Sequence, residues 1–560
     1  MHCSSPYLMT KHTLFTRLFF LPLMLAATAD AQRPFVPTRQ DTLKGGSSPA
    51  RTWWDVLYYD LTIRPDYTTR NIKGDNVITY RVVDDNHPDS MQIDLQAPLI
   101  IDSILLNRRR LRFIKDGNVW FVMVPPQKKF SIQQVAIFYS GKPKESLKAP
   151  WDGGIVWTTD SLGRPWMAVA CQLVGASVWY PCKVYQGDKP DNGALISVIV
   201  PDTLVGVSNG RLQKRSHHDD GTSTYTWRVR NPINNYGITF YIGKYVDIAD
   251  TFPGIRGPLE INYWVLDYNL QRARDYLHVE VHRTLKVFEH WFGPYPFYED
   301  GFKLVEAPYV GMEHQSAIAY GNHFTNGRFG FKRLTFWDLK TDRMVVHESA
   351  HEWFGNNVTA KDPADAWLQE GFAGYAEELA VAGFYGDQAG EEFFAARTTG
   401  KNSNAQPVIS RYGVFEQEGE DGYIKGWMLL HMIRAILNND RNFRNMFRGM
   451  NKHFYHQTVT TAQVENFISR VTGNDFSKVF DQYLRTTNIP VLEYKMYPKS
   501  IDYRFNNCVQ NFKMPIKVNL ANNPWITPTT KWQKMVPRSR PMQDSLLVDK
   551  DFYTTSRRIE

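Results

Sequence analysis

Cysteine is scarce in this chain of 560 residues: four in all, Cys3, Cys171, Cys182 and Cys508. None stands in the C-x-x-C spacing of a thiolate metal site, and Cys3 falls in an N-terminal segment expected to be removed. The odd set of three that remains excludes a disulfide framework and is expected to serve packing, with a Cys171–Cys182 pair across a local turn left open. Long hydrophobic runs are also lacking. The run Leu18–Ala27 has ten residues with Pro22 among them, short of the about 20 that span a bilayer, and nothing later in the chain offers a span. Nor does one sign of charge dominate. Lys and Arg number 65 against 57 acids, a net +8, and the one dense basic run, Arg108–Arg110, reads as a solvated turn rather than a nucleic-acid patch. Internal repeats and low-complexity tracts are absent.

What is present is core material. Apolar residues make up 43% and aromatics 14%, which excludes a disordered protein, and the length suits three or four compact units at about 150 residues each. Lys11 and Arg17 precede the apolar run, and Ala29-Asp30-Ala31 follows it with the small-x-small pattern of a cleavage site. Residues 1–31 are therefore expected to be a signal peptide, with the mature chain starting near Gln32 and exported to the periplasm or beyond. Residues 32–51, polar and rich in Pro and Gly, are expected as a disordered lead-in.

From 52 to 250 short β-branched and aromatic runs alternate with period two, as in Tyr58–Ile63, Asn76–Val83 and Ala194–Val200, which predicts an antiparallel β domain. Helical spacing then takes over from about Asn269, with a strand-rich entry around Phe302–Tyr320, so 251–490 is expected to be mostly helical. Residues 491–560 return to strands, enough for a small β-sandwich.

The chemistry concentrates in the helical part. His347-Glu348-Ser349-Ala350-His351 has the H-E-x-x-H pattern. On a helix, positions i and i+4 share a face, so two imidazoles can hold one ion while the Glu points at its water. Asp362-Pro363 opens a second helix with Trp367-Leu368-Gln369-Glu370-Gly371-Phe372, and Glu370 stands nineteen positions after His351. A helix, a loop and a returning helix bring that carboxylate to the imidazoles. Two His and one Glu leave a fourth position open, the catalytic rather than structural zinc arrangement. Glu377 and Glu378 on the same helix either orient a ligand or occupy a solvated face.

These residues resemble the gluzincin aminopeptidases of the aminopeptidase N type, whose third ligand sits in W-L-N-E-G-F. Val310-Gly311-Met312-Glu313-His314 is similar to the family's G-x-M-E-N motif and follows the Gly293-Pro294-Tyr295-Pro296-Phe297 turn. Tyr423-Ile424-Lys425-Gly426 resembles its Y-x-K-G, Gln172 lies nine residues ahead of Pro181 where the family places Gln or Glu, and Ser208-Asn209-Gly210 is a family-like turn. The resemblance runs from about 52 to 490. It implies a multidomain α+β protein with a thermolysin-like catalytic domain, one zinc per chain held by His347, His351 and Glu370, and peptide substrates with a free N-terminus. It further implies Glu348 as general base and Tyr423 as oxyanion donor, with Glu313 and Gln172 receiving the α-ammonium group beside Gly311 and Met312. Three departures stand out: Val310 for Gly, His314 for Asn and Gln369 for Asn. No long helical domain follows residue 490, so a more open cleft is expected. A leukotriene-hydrolase-like epoxide hydrolase and a catalytically degenerate peptide-binding protein are the competing readings.

Overall fold

The computed structural model describes residues 36–560, except 173, 399, 401–402, 417–418, 420, 521–524 and 538–544. The expected signal peptide lies outside the described residues. The expected lead-in is corrected from residue 38 onward. Helix α1 (Arg39–Gly45) opens on a Thr38–Asp41 capping box, and α2 (Pro49–Thr52) follows with proline in its first turn. Two contacts hold them. Arg51 is buried, with Nη2 donating to Asp94 at 2.6 Å and Nη1 to the carbonyls of Lys44 and Gly46 at 2.8 Å. A Cβ on Gly45 would lie 2.3 Å from the Phe415 nitrogen, a backbone approach open only to glycine.

The β region that follows has an eight-stranded sheet carrying Trp54–Asp66, Asn71–Val82 and Ala194–Pro201, and a four-stranded sheet carrying Gly154–Thr159, Pro165–Ala170, Val205–Ser208 and Phe240–Gly243. Most pairing is antiparallel, as the alternation predicts. Trp54–Asp66 and Ala194–Pro201 nevertheless run parallel, from Tyr59 opposite Ala194 to Ile63 opposite Val198. Side chains of both sheets merge into one core that includes Cys171 and Cys182, both buried and unpaired.

A five-stranded sheet links this region to the helices, in the order Tyr245–Gly254, Gly257–Leu266, Phe302–Glu306, Ile318–Tyr320, Gly311–Met312. The division expected at 250/251 therefore falls inside a strand. The sheet packs with α3 (Leu270–Phe292), α4 (Arg343–Ala350) and α5 (Trp367–Tyr385), then α6 (Asp387–Thr398), α7 (Asp421–Leu437), α8 (Asp440–His453), α9 (Thr461–Thr472) and α10 (Ser477–Arg485) complete the helical part. The C-terminal strands form a four-stranded sheet and a two-stranded ribbon, whose apolar side chains join the helical core. Among the described residues no helix is long and apolar enough to cross a membrane.

Candidate metal centre and cleft

Helix α4 starts at Asp342, whose Oδ1 accepts the backbone N–H groups of Met344 (2.9 Å) and Val345 (3.2 Å), while the Tyr320 and Tyr276 hydroxyls donate to Oδ2. The helix carries His347 and Glu348, and His351 caps it with helical backbone (φ −62°, ψ −20°), so the i, i+4 relation holds. Each imidazole has one nitrogen committed. His347 Nδ1 donates to Glu377 at 3.0 Å, and His351 Nδ1 donates to the Phe354 carbonyl at 3.0 Å. Both Nε2 atoms are thereby left to face a common point.

That point has the dimensions of a zinc site. The two Nε2 atoms lie 3.3 Å apart, and Glu370 Oε2 lies 3.4 Å from His347 Nε2 and 3.5 Å from His351 Nε2. Ligands at about 2.05 Å on a tetrahedral ion are separated by about 3.3 Å, so the three atoms sit at the corners such an ion needs. Among the described residues Glu370 Oε2 is buried without a hydrogen-bond partner, while Oε1 accepts the Gln172 amide at 2.9 Å. A buried carboxylate oxygen without a donor is costly unless a cation satisfies it. Electrostatics agree: burial alone would lower the His347 and His351 pKa values, yet the surrounding carboxylates, Glu370 foremost, raise them to about 10 and about 9. The pocket attracts positive charge, and His347, His351 and Glu370 fit zinc.

Glu377 resolves the choice left open for the acidic pair on α5. It is buried, accepts a two-point contact from Arg343 Nε (2.7 Å) and Nη2 (3.0 Å), and orients His347. Burial pushes its carboxyl up, but Arg343 and His347 outweigh that and hold it well below the ordinary range. Glu378, one position on, turns instead to α7 and accepts from Trp427 (2.7 Å) and His431 (2.8 Å).

Glu348 and Glu313 are buried, and together with His351 they offer three atoms within 4.8 Å of one another. Gly311 is small for a reason: a Cβ there would lie 2.6 Å from Glu348 Oε1. By strand alternation the Met312 side chain points the other way and is packed in the β core, 2% exposed. Glu313 Oε1 has no partner among the described residues. Burial, helped by the charges of Glu370 and Glu348 and opposed by His351, pushes its carboxyl up to about 7.

His314, where the family resemblance expects Asn, is fully buried beside Tyr241. The Tyr241 hydroxyl donates to the Ala317 carbonyl, so His314 Nδ1 must donate to that hydroxyl at 2.7 Å. Burial holds this imidazole neutral, its pKa lowered to about 3.

Tyr423 lies in the first turn of α7 and is 36% exposed. Two glycines bring that turn towards Glu370: a Cβ on Gly371 would meet Gly426 Cα at 2.8 Å, and the reverse is equally close. The glycines of E-G-F and Y-x-K-G are thus the two sides of one helix contact. The Tyr295 turn also acquires a role, since its hydroxyl donates to Glu352 at 2.8 Å, next in chain to His351. Sequence reasoning missed Arg343 and Glu352. For Arg343 a signal existed, an arginine one turn ahead of His347, but its partner lies thirty-four positions away.

Comparison with known proteins follows the same lines. Residues 278–483 match the family model described as Peptidase family M1 domain. The chain is 23% identical over 301 residues to the leucyl aminopeptidase of Saccharolobus solfataricus, covering 51% of this chain and 37% of that protein. It is 22% identical over 463 residues to aminopeptidase 2 of Candida albicans, covering 78% and 48%. The chain thus spans about half or less of the length of these curated relatives. In fold it is similar to the M1 zinc metallopeptidase of Deinococcus radiodurans, with a TM-score of 0.66 at 22% identity, covering 80% of this chain and 96% of that one.

Proposed function

Starting from its membership of the peptidase M1 family, we propose that this chain is a zinc aminopeptidase that removes single residues from peptide N-termini. The observation that carries this reading is the convergence of His347 Nε2, His351 Nε2 and the unpartnered Glu370 Oε2, with Glu348 and Glu313 buried beside them. Zinc, when bound by those three residues, polarises the scissile carbonyl and brings the pKa of water down to about 7.

The chain's own groups do the rest. Glu348 takes the proton of the attacking water and passes it to the leaving amine. The Tyr423 hydroxyl donates to the oxygen that gains negative charge. Glu313 receives the α-ammonium group, which explains why a buried carboxylate there keeps an oxygen without a donor. The Gln172 amide nitrogen is committed to Glu370, so its carbonyl oxygen is the atom that can accept from the same ammonium. One zinc serves each chain, and the leader pattern over residues 1–31 supports export.

Leucine p-nitroanilide and its N-acetyl derivative separate the possibilities. The free amine is expected to be hydrolysed at least 100-fold faster. Equal rates would remove the aminopeptidase reading, and no hydrolysis of either by zinc-loaded protein would favour a peptide binder.

A further inference from the structure

A loop of the β region crosses to the helical part and touches it beside the metal ligands. It spans residues 183–190, ahead of the strand Ala194–Pro201, and is anchored in the β region by Lys183, which pairs with Asp188 and donates to the Trp54 carbonyl at 2.5 Å. Two of its side chains reach across. Gln186 Nε2 donates at 2.8 Å to Oε1 of Gln369, next in chain to Glu370, and Lys189 is buried against the turn that follows His351.

That turn is wider than a helical one. The N–H groups of Asn356, Asn357 and Val358 donate to the carbonyls of His351 (2.9 Å), Glu352 (3.1 Å) and Trp353 (3.1 Å), each five residues back. Two of its groups bind site residues directly. The Phe354 carbonyl accepts from His351 Nδ1 at 3.0 Å, and Asn356 Nδ2 donates to the Glu313 carbonyl at 2.9 Å. The turn backbone also lies against the ligand ring, since a Cβ on Gly355 would stand 3.3 Å from His351 Nδ1. One short segment therefore holds both an imidazole of the metal centre and the backbone of the buried acid beside it.

Lys189 closes this turn from the β side. Its Nζ donates to the Asn356 carbonyl (2.6 Å), the Asn357 carbonyl (3.4 Å) and Thr359 Oγ1 (3.0 Å), while the Thr359 hydroxyl itself donates to the Gly355 carbonyl at 2.6 Å. The neighbouring acid, Asp188, is taken by Lys183, and burial pushes the Lys189 amine down to about 7 with no carboxylate among the described residues to oppose it. A buried ammonium is costly unless acceptors surround it, and here the last carbonyls of the turn supply them. We infer that Lys189 is a positioning residue of the zinc site: by tying the 354–359 turn to the β region it aims the His351 ring at the metal and fixes Glu313 for the α-ammonium group. The role towards His351 needs only zinc, whereas that towards Glu313 rests on the aminopeptidase reading.

The test uses the full chain and its Lys189→Met, Lys189→Gln and Lys303→Met variants. Lys303 is the control, equally buried but donating to the Gly210 carbonyl instead of this turn. Three quantities are read: zinc affinity by chelator competition, calorimetric binding of isoamylamine, which has a free amine and no scissile bond, and kcat and KM for leucine p-nitroanilide. Lys189→Met is expected to lose about tenfold in zinc affinity and about threefold in isoamylamine binding. KM should rise in step, with kcat at saturating zinc within about twofold of wild type, because Glu348 and Tyr423 do not lie on the turn. Lys189→Gln, neutral but still a donor, should fall between, and it decides the matter if Lys189→Met does not fold. Lys303→Met should change none of the three. Zinc affinity and isoamylamine binding that match wild type in the Lys189 variants, or losses no larger than in Lys303→Met, would overturn the assignment. A wild type that binds zinc and cleaves nothing would remove the peptidase reading, and the zinc loss in Lys189→Met would then still assign Lys189 to His351. Cleavage by wild type with no loss in either Lys189 variant would do the reverse.

Discussion

Two His-x-x-x-His pairs among the described residues meet an acid, and only one of them leaves a carboxylate oxygen open for a metal ion. On α3, His278 Nδ1 and His282 Nε2 both approach Asp250 Oδ2, at 2.8 and 2.9 Å, and the Tyr263 hydroxyl donates to the same oxygen at 3.0 Å. On α4, His347 and His351 approach Glu370 at 3.4 and 3.5 Å, too far for good hydrogen bonds and right for a shared ion. The first acid is satisfied as a hub of donors, whereas the second keeps a buried oxygen unpartnered. Outer contacts make the difference. Glu377 and the Phe354 carbonyl each occupy an Nδ1 on α4, so both Nε2 atoms turn inward. His278, 56% exposed in its side chain, is free to turn Nδ1 to the acid. Spacing supplies the pair; the second contact on each ring decides what the pair does.

The strongest test of that contrast is metal content after removal of each pair. His347→Ala with His351→Ala should take bound zinc from about one per chain to below about a tenth, and turnover to background, since two of three protein ligands are gone. His278→Ala with His282→Ala should leave both unchanged. Zinc lost from the second variant, measured by elemental analysis after dialysis, would show that the hydrogen-bonded hub also binds metal.

A smaller effect probes the outer contact itself. Glu377→Ala leaves all three ligands in place but frees the His347 ring and strips Arg343 of its partner. Zinc affinity should fall about 10- to 100-fold, read by competition with a chelator. An unchanged affinity would mean that helix geometry alone aims the imidazole.

The sequence made the convergence of His347, His351 and Glu370 legible because their relation is local: two positions four apart on one helix, and an acid on the next. Strands such as Ala194–Pro201 were legible for the same reason, each residue's burial following from its neighbours. What could not be read lies in contacts between distant segments. The helices at 39–52 carry a polar, glycine-rich sequence, and their order comes from Arg51 meeting Asp94 and Gly45 meeting Phe415. Likewise the Gln172 amide donates to Glu370, 198 positions away, a contact that no local pattern carries.

The smallest predicted effect concerns the satisfied hub. Burial works against the Asp250 charge, but donors from His278, the Thr251 amide, His282 and Tyr263 hold its carboxyl below the ordinary range. A carboxyl depressed by folding adds stability above its unfolded pKa of about 4 and loses it as the pH falls through the lower folded value. Asp250→Asn should therefore be less stable than wild type at pH 7 by under about 1 kcal/mol, because the site is partly solvated and screened. Near pH 2 to 3 the two should converge as the wild-type advantage disappears. Chemical denaturation at both pH values measures this, and a gap that persists in acid would assign the loss to altered packing between α3 and the strand Tyr245–Gly254 rather than to charge.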